Sequence, residues 1–244
     1  MTLDARRTEL WQAMGLGPIY RLRAKASHAL PAVAAIDQAP MLPSRAAHIA
    51  QLTWEELPAE VASCRACSLC ETRKQTVFGV GNSNADWMLI GEAPGAEEDA
   101  RGEPFVGQAG RLLNNMLATI GLTREGETPN SVYIANVLKC RPPGNRNPLP
   151  EEVDKCEPFL LRQIELIKPA LIVVMGRFAA QSLLGTDASI AHLRGRQHQI
   201  TVAGRRIPVV VTYHPAYLLR NLADKAKSWA DLCLASEVNA SARR

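Results

Sequence analysis

Residues 87–110 read WMLIGEAPGAEEDARGEPFVGQAG, an apolar run followed by a long loop of Gly, Pro and acidic residues. Short, β-rich apolar runs of this kind are typical of buried strands. Further runs occur at residues 132–138 (VYIANVL), 171–176 (LIVVMG) and 207–212 (IPVVVT), and segments with helical periodicity separate them. The alternation predicts an α/β fold, with three α/β/α layers around a central, mostly parallel sheet of four strands.

Four segments between and after these runs are predicted to be helices, at residues 111–121, 150–167, 178–184 and 221–237. The second begins with Pro-Glu-Glu, which suits a helix N-terminus because proline presets φ and acidic side chains complement the helix dipole. In the first, apolar side chains share one face. We expect these helices to cover the two faces of the sheet.

The chain is predicted to have two parts, a domain at residues 53–240 and an N-terminal segment at residues 1–52. That segment combines a short helical appendage with a flexible linker rich in Ala and Pro. The residues predicted to line one face of the short helix are Leu10, Trp11, Met14 and Leu16. A length of 244 residues fits one sizeable domain with an appendage better than two large domains.

Composition places the chain among globular proteins, with 47% hydrophobic and 21% charged residues. No apolar run approaches the roughly 18 residues that a membrane span requires, and residues 1–12 lack the pattern of a secretory signal. We therefore expect a cytoplasmic protein with no membrane partner, and a monomer. The net charge of +4 is compatible with a nucleic-acid partner but does not require one.

Five of the six cysteines are spaced like metal ligands. Cys64, Cys67 and Cys70 form a C-x2-C-x2-C run, and Cys140 and Cys156 follow, 16 positions apart. In a reducing compartment such a set favours metal binding over disulfides. The spacing suits an iron-sulfur cluster or a structural zinc and does not separate the two.

Polar residues occur at the carboxyl ends of the predicted strands. Glu92 comes directly after the first strand and Asn136 lies late in the second. His214 comes just after the fourth, while Gly176 ends the third. Ligands of open parallel sheets bind at this edge, so we expect Glu92, Asn136 and His214 to converge there. An ionised carboxylate beside a buried strand is costly unless it is paired or takes part in chemistry.

Some of these residues also have ordinary structural interpretations. Phe105, in the polar stretch GEPFVGQ, is either a core anchor or a stacking platform for a planar ligand. Asn136 bonds either to the backbone or to the Watson-Crick edge of a base. Glu97 is interpreted as a solvated acid that caps the following helix.

A basic stretch surrounds the fourth cysteine of the set. Lys139, Arg141 and Arg146 lie on either side of Cys140, so a metal at this position holds in place a loop suited to phosphates. An ordinary basic surface loop is the alternative interpretation.

Residues 211–221, VTYHPAYLLRN, place apolar side chains beside a cation. His214 is followed by proline, which makes the turn rigid. Leu218, Leu219 and Arg220 suit a wedge that enters a duplex and unstacks a base. The alternative is the buried start of a helix.

Several of these motifs occur together and in order. They are GEAPGAEED at residues 91–99, PFVG at 104–107, KCRPPGNRNPLP at 139–150 and HPAYLLR at 214–220. As an ordered set they resemble family 4, the iron-sulfur type, of the uracil-DNA glycosylases. The resemblance runs from about Cys64 to the final helix and leaves residues 1–63 outside it.

The resemblance implies hydrolysis of the bond between uracil and deoxyribose in single- and double-stranded DNA, which leaves an abasic site for base excision repair. The nucleotide must first be flipped out of the helix. By the family's pattern Glu92 and His214 are catalytic. The carboxylate positions or activates water and stabilises the oxocarbenium-like sugar, and the histidine stabilises negative charge on the departing uracil. The residues implied in binding uracil are Asn136, which recognises its edge, Phe105, which stacks on it, and Gly91 and Glu98.

The resemblance also implies a [4Fe-4S] cluster with a structural role, held by Cys64, Cys67, Cys140 and Cys156. Cys70 is a fifth candidate, which either replaces Cys64 or Cys67 or is a packed thiol. One alternative function is an iron-sulfur redox or electron-transfer protein, which leaves the convergence of polar residues unexplained. Another is a uracil-DNA-binding relative that traps its target without turnover. Such relatives carry a nucleophilic His in a basic loop, whereas residues 136–150 contain no His.

Overall fold

The computed structural model describes residues 5–15 and 44–242. Contacts divide the chain into two compact units, Met1–Leu42 and Pro43–Arg244. No helix in the described ranges is long and apolar enough to cross a membrane.

In the first unit the described residues form helix α1 (Ala5–Ala13). Three side chains of the predicted apolar face, Leu10, Trp11 and Met14, are exposed. Leu16 and the predicted linker as far as residue 43 lie outside the described residues.

The second unit contains a sheet with helices on both faces. Its strands are β1 (Val80–Gly81), β2 (Trp87–Gly91), β3 (Tyr133–Asn136), β4 (Leu171–Met175), β5 (Gln197–Val202) and β6 (Arg205–Thr212). Its helices are α2 (Arg45–Ile49), α3 (Leu57–Ser63), α4 (Leu69–Thr72), α5 (Ala96–Arg101), α6 (Gln108–Thr119), α7 (Pro150–Ile167), α8 (Arg177–Leu184), α9 (Ile190–Leu193), α10 (Pro215–Arg220) and α11 (Lys225–Ala242). Short 3-10 helices lie at Pro143–Asn145 and Leu222–Asp224.

The strand order is β1-β3-β2-β4-β6-β5. The four central strands are parallel, with Gly91 opposite Asn136 across β2 and β3. The edge strands β1 and β5 are antiparallel to their neighbours. The α/β class and the parallel centre are therefore confirmed, but the predicted count of four strands is wrong, because the sheet has six strands.

The two missed strands lack the apolar runs that identify the others. β1 has only two residues, and β5 (QHQITV) has mostly exposed or half-buried side chains. β5 and β6 are joined by a two-residue turn, Ala203 and Gly204, at φ values of 47° and 78°. Positive φ at both positions is typical of a tight hairpin. Gly204 was therefore the sequence indication of a hairpin between β5 and β6.

Alternate residues of the parallel strands pack into different layers. Met88, Ile90 and Val174 lie in a core cluster with side chains of α7 and α8. Leu89 and Val173 lie in the opposite cluster, with side chains of α6 and α11. Burial on both faces produces continuous apolar runs, which explains why these four strands could be recognised in the sequence.

The predicted helices agree closely with the structure. The helix at residues 150–167 is confirmed at both ends. Those at 111–121 and 178–184 are confirmed with starts at Gln108 and Arg177. The segment at 221–237 begins with a 3-10 turn, and α11 then extends to Ala242.

Helices α2 and α3 pack against α7 at one side of the domain. Ile49, Leu57, Val61 and Phe159 form a buried cluster there. Helix α2 falls within the range predicted as linker, and it belongs to the second unit. The boundary between residues 52 and 53 stays a prediction.

Candidate active site

The carboxyl ends of the parallel strands surround one cavity of about 390 Å³. Glu92 follows β2, Asn136 ends β3 and His214 follows β6, and all three side chains line the cavity. Gly176, after β4, lies beside them, since a methyl group at this position would be 3.2 Å from Cβ of His214. A cavity of this size accommodates a small planar ligand.

Phe105 forms one wall of the cavity. Its ring centroid lies 5.3 Å from that of His214, with an angle of 29° between the planes. Gly91 permits this position, because a methyl group there would lie 2.7 Å from Cζ of Phe105 and 2.4 Å from Oδ1 of Asn136. A side chain at position 91 therefore displaces the ring, the amide or both.

Asn136 presents an unused acceptor to the cavity. The residue is 2% exposed, and within the described part of the chain its Oδ1 has no hydrogen-bond partner. A buried amide oxygen without a partner is unfavourable. A ligand with an N–H group at this position relieves that cost.

His214 is the N-cap of α10, and its Nδ1 accepts a hydrogen bond from the main-chain N–H of Ala216 at 3.1 Å. The proton of the neutral ring is therefore on Nε2. Burial lowers the pKa of His214 to about 4; Glu98 opposes this shift and Arg220 adds to it. At neutral pH the imidazole is uncharged and offers one donor, Nε2–H.

Glu92 is half-buried at the end of β2. Burial raises the pKa of its carboxyl above the ordinary value, and the charge of Arg177 partly offsets this effect. Its main-chain carbonyl accepts a hydrogen bond from the N–H of Leu138 at 3.0 Å. This bond joins the loop after β2 to the segment after β3, so the backbone at Glu92 is fixed.

Glu98, another acid that follows β2, stabilises the backbone of this loop. Glu98 accepts hydrogen bonds from the N–H of Gly95 at 3.1 Å and of Val106 at 3.2 Å. Glu98 therefore caps the N-terminus of α5. Glu97 is exposed, and its Oε2 lies 3.9 Å from Nη2 of Arg101. Glu98 lines the cavity, but its carboxylate is already used by the loop.

The basic residues around Cys140 differ in availability. Lys139 is 1% exposed, and its Nζ donates to the carbonyl of Asn136 at 2.8 Å and to Oε1 of Gln163 at 2.6 Å. It is therefore not placed to contact a phosphate, contrary to the sequence interpretation. Arg146 donates through both Nη atoms to the buried carboxylate of Glu152. Arg141 donates to Oδ1 of Asn145 at 2.7 Å, on the exposed side of the loop.

Helix α10 presents two of the three residues predicted for the wedge. Leu219 is 38% exposed and Arg220 is exposed beside the cavity. Leu218 is 1% exposed, because it lies on the side of α10 that faces α6. It is therefore not available at the surface.

Comparison with known proteins assigns the chain to a family. Residues 78–233 match the model of the Uracil DNA glycosylase superfamily, a range that contains the whole cavity. The chain belongs to the uracil-DNA glycosylase superfamily. Type-4 uracil-DNA glycosylases are its relatives in Archaeoglobus fulgidus (48% identical, covering 68% of this chain and 82% of that protein) and Thermotoga maritima (44%, covering 68% and 83%). A type-5 uracil-DNA glycosylase of Pyrobaculum aerophilum is 33% identical over 57% of this chain and 64% of that protein.

In this member of the uracil-DNA glycosylase superfamily five cysteines line a second cavity. Cys64 follows α3, Cys70 lies in α4 and Cys156 lies in α7, with Cys67 and Cys140 between them. Burial raises the pKa of Cys140, and the neighbouring Cys67 and Cys64 add to the shift. The thiols are therefore within electrostatic reach of one another.

Hydrogen-bond donors point at three of these thiols. The guanidinium of Arg73 lies 3.0 Å from Sγ of Cys140, and that of Arg45 lies 3.5 Å from Sγ of Cys64. The N–H of Lys139 lies 3.2 Å from Sγ of Cys156. Donors of this kind stabilise thiolates and tune iron-sulfur centres. Within residues 5–15 and 44–242, no group of three or more His, Cys, Asp or Glu side chains is arranged to hold a metal ion. What supports a sulfur-ligated group here is the chemistry of the cysteines and of the donors that face them.

Several residues of this uracil-DNA glycosylase-like site were missed in the sequence. Arg73 bonds to a thiol, Arg177 acts on Glu92 and Gln163 bonds to Lys139. Each belongs to a helix or loop distant in sequence from its partner. Only the three-dimensional fold brings these pairs together, so periodicity and spacing give no indication of them.

Proposed function

We propose that this protein removes uracil from DNA by hydrolysing the N-glycosidic bond, which leaves an abasic site and starts base excision repair. One cavity carries the proposal, because it holds the unpaired Oδ1 of Asn136, the ring of Phe105, the neutral His214 and the carboxylate of Glu92. These groups supply base recognition, stacking, leaving-group stabilisation and stabilisation of the sugar. The uracil-containing nucleotide is flipped into the cavity, since its glycosidic bond cannot be reached inside a duplex.

Asn136 provides selection for uracil over cytosine. The Oδ1 without a partner accepts the N3–H of uracil, whereas cytosine has a lone pair at N3 and repels the same oxygen. A site built to bond one group rejects an analogue that leaves its buried polar atom unpaired. Phe105 stacks on the base, and the absence of a side chain at Gly91 leaves room for the Phe105 ring.

Glu92 acts on the sugar side of the bond. As the bond breaks, the deoxyribose gains positive charge, which a carboxylate in a water-poor cavity stabilises. The same carboxylate orients the attacking water. Because burial raises its pKa, the ionised form is less stable than in water and its attraction for a developing cation is correspondingly large.

His214 acts on the uracil side of the bond. Its Nε2–H donates to uracil O2 as negative charge builds up on the departing base. Neutral imidazole is the form present, because burial lowers the pKa of His214 to about 4. The residue therefore stabilises the uracil anion through a hydrogen bond and remains effective over the physiological pH range.

DNA contacts are assigned to the rim of the cavity. Arg220 and Leu219 on α10 are exposed beside the opening, where a cation binds phosphate and an apolar side chain fills the space left by a flipped base. Arg141 lies on the exposed basic loop. Arg146 lines the opening but is bonded to Glu152, so its main effect is to hold the loop. Single- and double-stranded DNA both reach such an open rim.

A [4Fe-4S] cluster is proposed at the second cavity, with Cys64, Cys67, Cys140 and Cys156 as ligands and Cys70 as an adjacent thiol. When bound, such a cluster supplies covalent links between helices through its thiolates. The protein's own contribution is the donor set of Arg45, Arg73 and the N–H of Lys139. Zinc on the same thiolates is separated from iron by the visible absorption of the purified protein.

The remaining assignments rest on the sequence. They are a cytoplasmic location, a monomeric state and a division into residues 1–52 and 53–240. None of them alters the chemistry of the cavity.

An oligonucleotide assay tests the function. Purified protein is incubated with single- and double-stranded oligonucleotides that carry uracil, cytosine or thymine at one position, followed by alkali. Scission only at uracil, with many turnovers per protein, is expected. Glu92→Gln and His214→Ala are expected to remove most of the rate, while Glu97→Gln, an exposed acid of the same loop, keeps it. Absence of scission above a protein-free control rejects the enzyme assignment, and a single turnover with a stable complex indicates a trapping protein.

A further inference from the structure

Phe105 has an unfavourable backbone conformation. Its φ is 56°, in the left-handed region that bulky L residues rarely adopt. Such a conformation persists only where the surrounding structure holds it in place. The ring depends on this backbone, because it is the left-handed turn that carries the side chain into the cavity beside His214.

Arg124 makes the contacts that hold this turn. Its Nη1 donates to the carbonyl of Phe105 at 2.7 Å, and its Nη2 donates to the carbonyl of Pro104 at 2.6 Å. Nη2 also lies 2.8 Å from Oε1 of Glu103. The guanidinium therefore bonds to two consecutive carbonyls at once, which fixes their relative orientation as a single ammonium group does not.

The surroundings of Arg124 strengthen these hydrogen bonds and fix their geometry. Its side chain is 9% exposed, so water competes little for the donors. From the other side, α6 approaches so closely that a methyl group on Gly110 would lie 1.7 Å from the carbonyl oxygen of Phe105. The carbonyl is thus held between Arg124 and the backbone of α6, and it has no room to rotate.

Arg124 does not take part in the chemistry directly. It is absent from the lining of the cavity that contains Glu92, Asn136 and His214, and it lines a separate open cleft on the far side of Phe105. Its bond to the carbonyl of Phe105 links Arg124 to that cavity. Burial lowers the pKa of its guanidinium, but an arginine remains charged at neutral pH.

We infer that Arg124 is a positioning residue for uracil recognition: by bonding to the carbonyls of Pro104 and Phe105 it keeps the ring of Phe105 at stacking distance from the bound base. This inference rests on the proposed function. It extends the recognition site to a residue in the loop between α6 and β3, which touches neither the base nor the DNA in the proposed arrangement.

A double-mutant cycle tests the inference. Arg124→Gln is made in the wild type and in Phe105→Ala, and each protein is assayed for kcat/KM on uracil-containing DNA, for binding of free uracil by calorimetry and for stability by urea unfolding. Glu103→Gln is the matched control, since it removes the ion pair and leaves both carbonyl bonds. Arg124→Lys, which keeps the charge but has a single donor nitrogen in place of the guanidinium fork, replaces Arg124→Gln if that variant does not fold.

The expected result is a loss of about tenfold to a hundredfold in kcat/KM for Arg124→Gln, with weaker binding of free uracil by a similar factor. Glu103→Gln is expected to stay within about threefold of the wild type. In the Phe105→Ala background, Arg124→Gln should lower stability but cause no further loss of activity or uracil binding. Equal losses in both backgrounds, or unchanged uracil binding in Arg124→Gln, overturn the inference while the wild type remains active. A wild type that neither excises nor binds uracil rejects the proposed function as well.

Discussion

Replacing Gly91 by Ala adds one methyl group against Asn136 and Phe105, two residues that line the cavity. The methyl carbon would lie 2.4 Å from Oδ1 of Asn136 and 2.7 Å from Cζ of Phe105, whereas ordinary contact begins at 3.4 Å. The amide must therefore move by 3.4 − 2.4, about 1.0 Å, and the ring by 3.4 − 2.7, about 0.7 Å. Gly91 does not have a positive φ, so alanine fits its backbone and the perturbation is confined to these side chains.

Displacements of this size affect recognition more than folding. Misplacement of a binding group by about 1 Å costs up to about a hundredfold in rate, and overpacking destabilises by about 1–3 kcal/mol. We therefore expect Gly91→Ala to lower single-turnover excision of uracil by about tenfold to a hundredfold. The free energy of unfolding in urea should fall by no more than the overpacking cost, so the variant remains folded under assay conditions.

Gly107→Ala is the matched control for this experiment. A methyl group there meets Oε1 of Glu97 at 2.8 Å, but that side chain is 58% exposed and can rotate away. Gly107→Ala should therefore excise uracil at the wild-type rate. If Gly91→Ala also does so, the arrangement of Asn136 and Phe105 around the base is refuted.

Other predictions concern pH, salt and the thiolates. The pKa of Glu92 is raised and that of His214 is lowered to about 4, so on acidification kcat/KM should fall as Glu92 gains a proton while His214 is still neutral. This fall at acidic pH should be absent from the residual activity of Glu92→Gln. The free energy of unfolding should also decrease as the pH is lowered from about 6.5 to about 4, because in this range the unfolded chain binds a proton at His214 and the folded chain does not. Urea unfolding at several pH values measures this decrease, and a His214→Ala variant should lack the part of it that is due to His214. Arg220→Gln should reduce the slope of log DNA affinity against log salt concentration by about 1. Arg146→Gln should leave this slope unchanged, because Arg146 is already paired with Glu152. Equal slopes for the two variants contradict the assignment of Arg220 as the phosphate contact. Cys140→Ala should lose visible absorption and iron content on purification, and retention of both removes Cys140 from the ligand set.

The central fold could be predicted because its strands have continuous apolar sequences. β2, β4 and β6 are buried on both faces, and such strands leave a direct trace in the sequence. The edge strand β5 is half exposed and polar, so composition does not distinguish it from a loop. Its assignment as a strand comes from the hairpin pairing with β6 across the turn at Ala203 and Gly204.

The candidate site was predictable to the extent that it follows strand ends. Glu92, Asn136 and His214 occupy fixed positions relative to apolar runs, so their sharing of one cavity follows from parallel topology. Which charged residues are exposed and which are buried was not predictable from the sequence. Whether Lys139 is exposed or buried depends on Gln163, which lies 24 positions away on α7.

The cavity and the cysteines are connected by the segment that runs from Asn136 to Cys140. Lys139 lies between them, and its ammonium group bonds to the carbonyl of Asn136 and to Gln163. Its N–H points at Sγ of Cys156 and its carbonyl accepts a bond from the N–H of Val77 at 2.8 Å. A buried ammonium group is unfavourable unless it is fully bonded and near negative charge; burial lowers the pKa of Lys139 to about 8, and Cys156 and Cys140 oppose that shift. With the proposed cluster bound, the thiolates of Cys140 and Cys156 would supply negative charge beside the cation that bonds to the backbone of Asn136, which gives a structural reason for cysteines near a site whose chemistry does not use them.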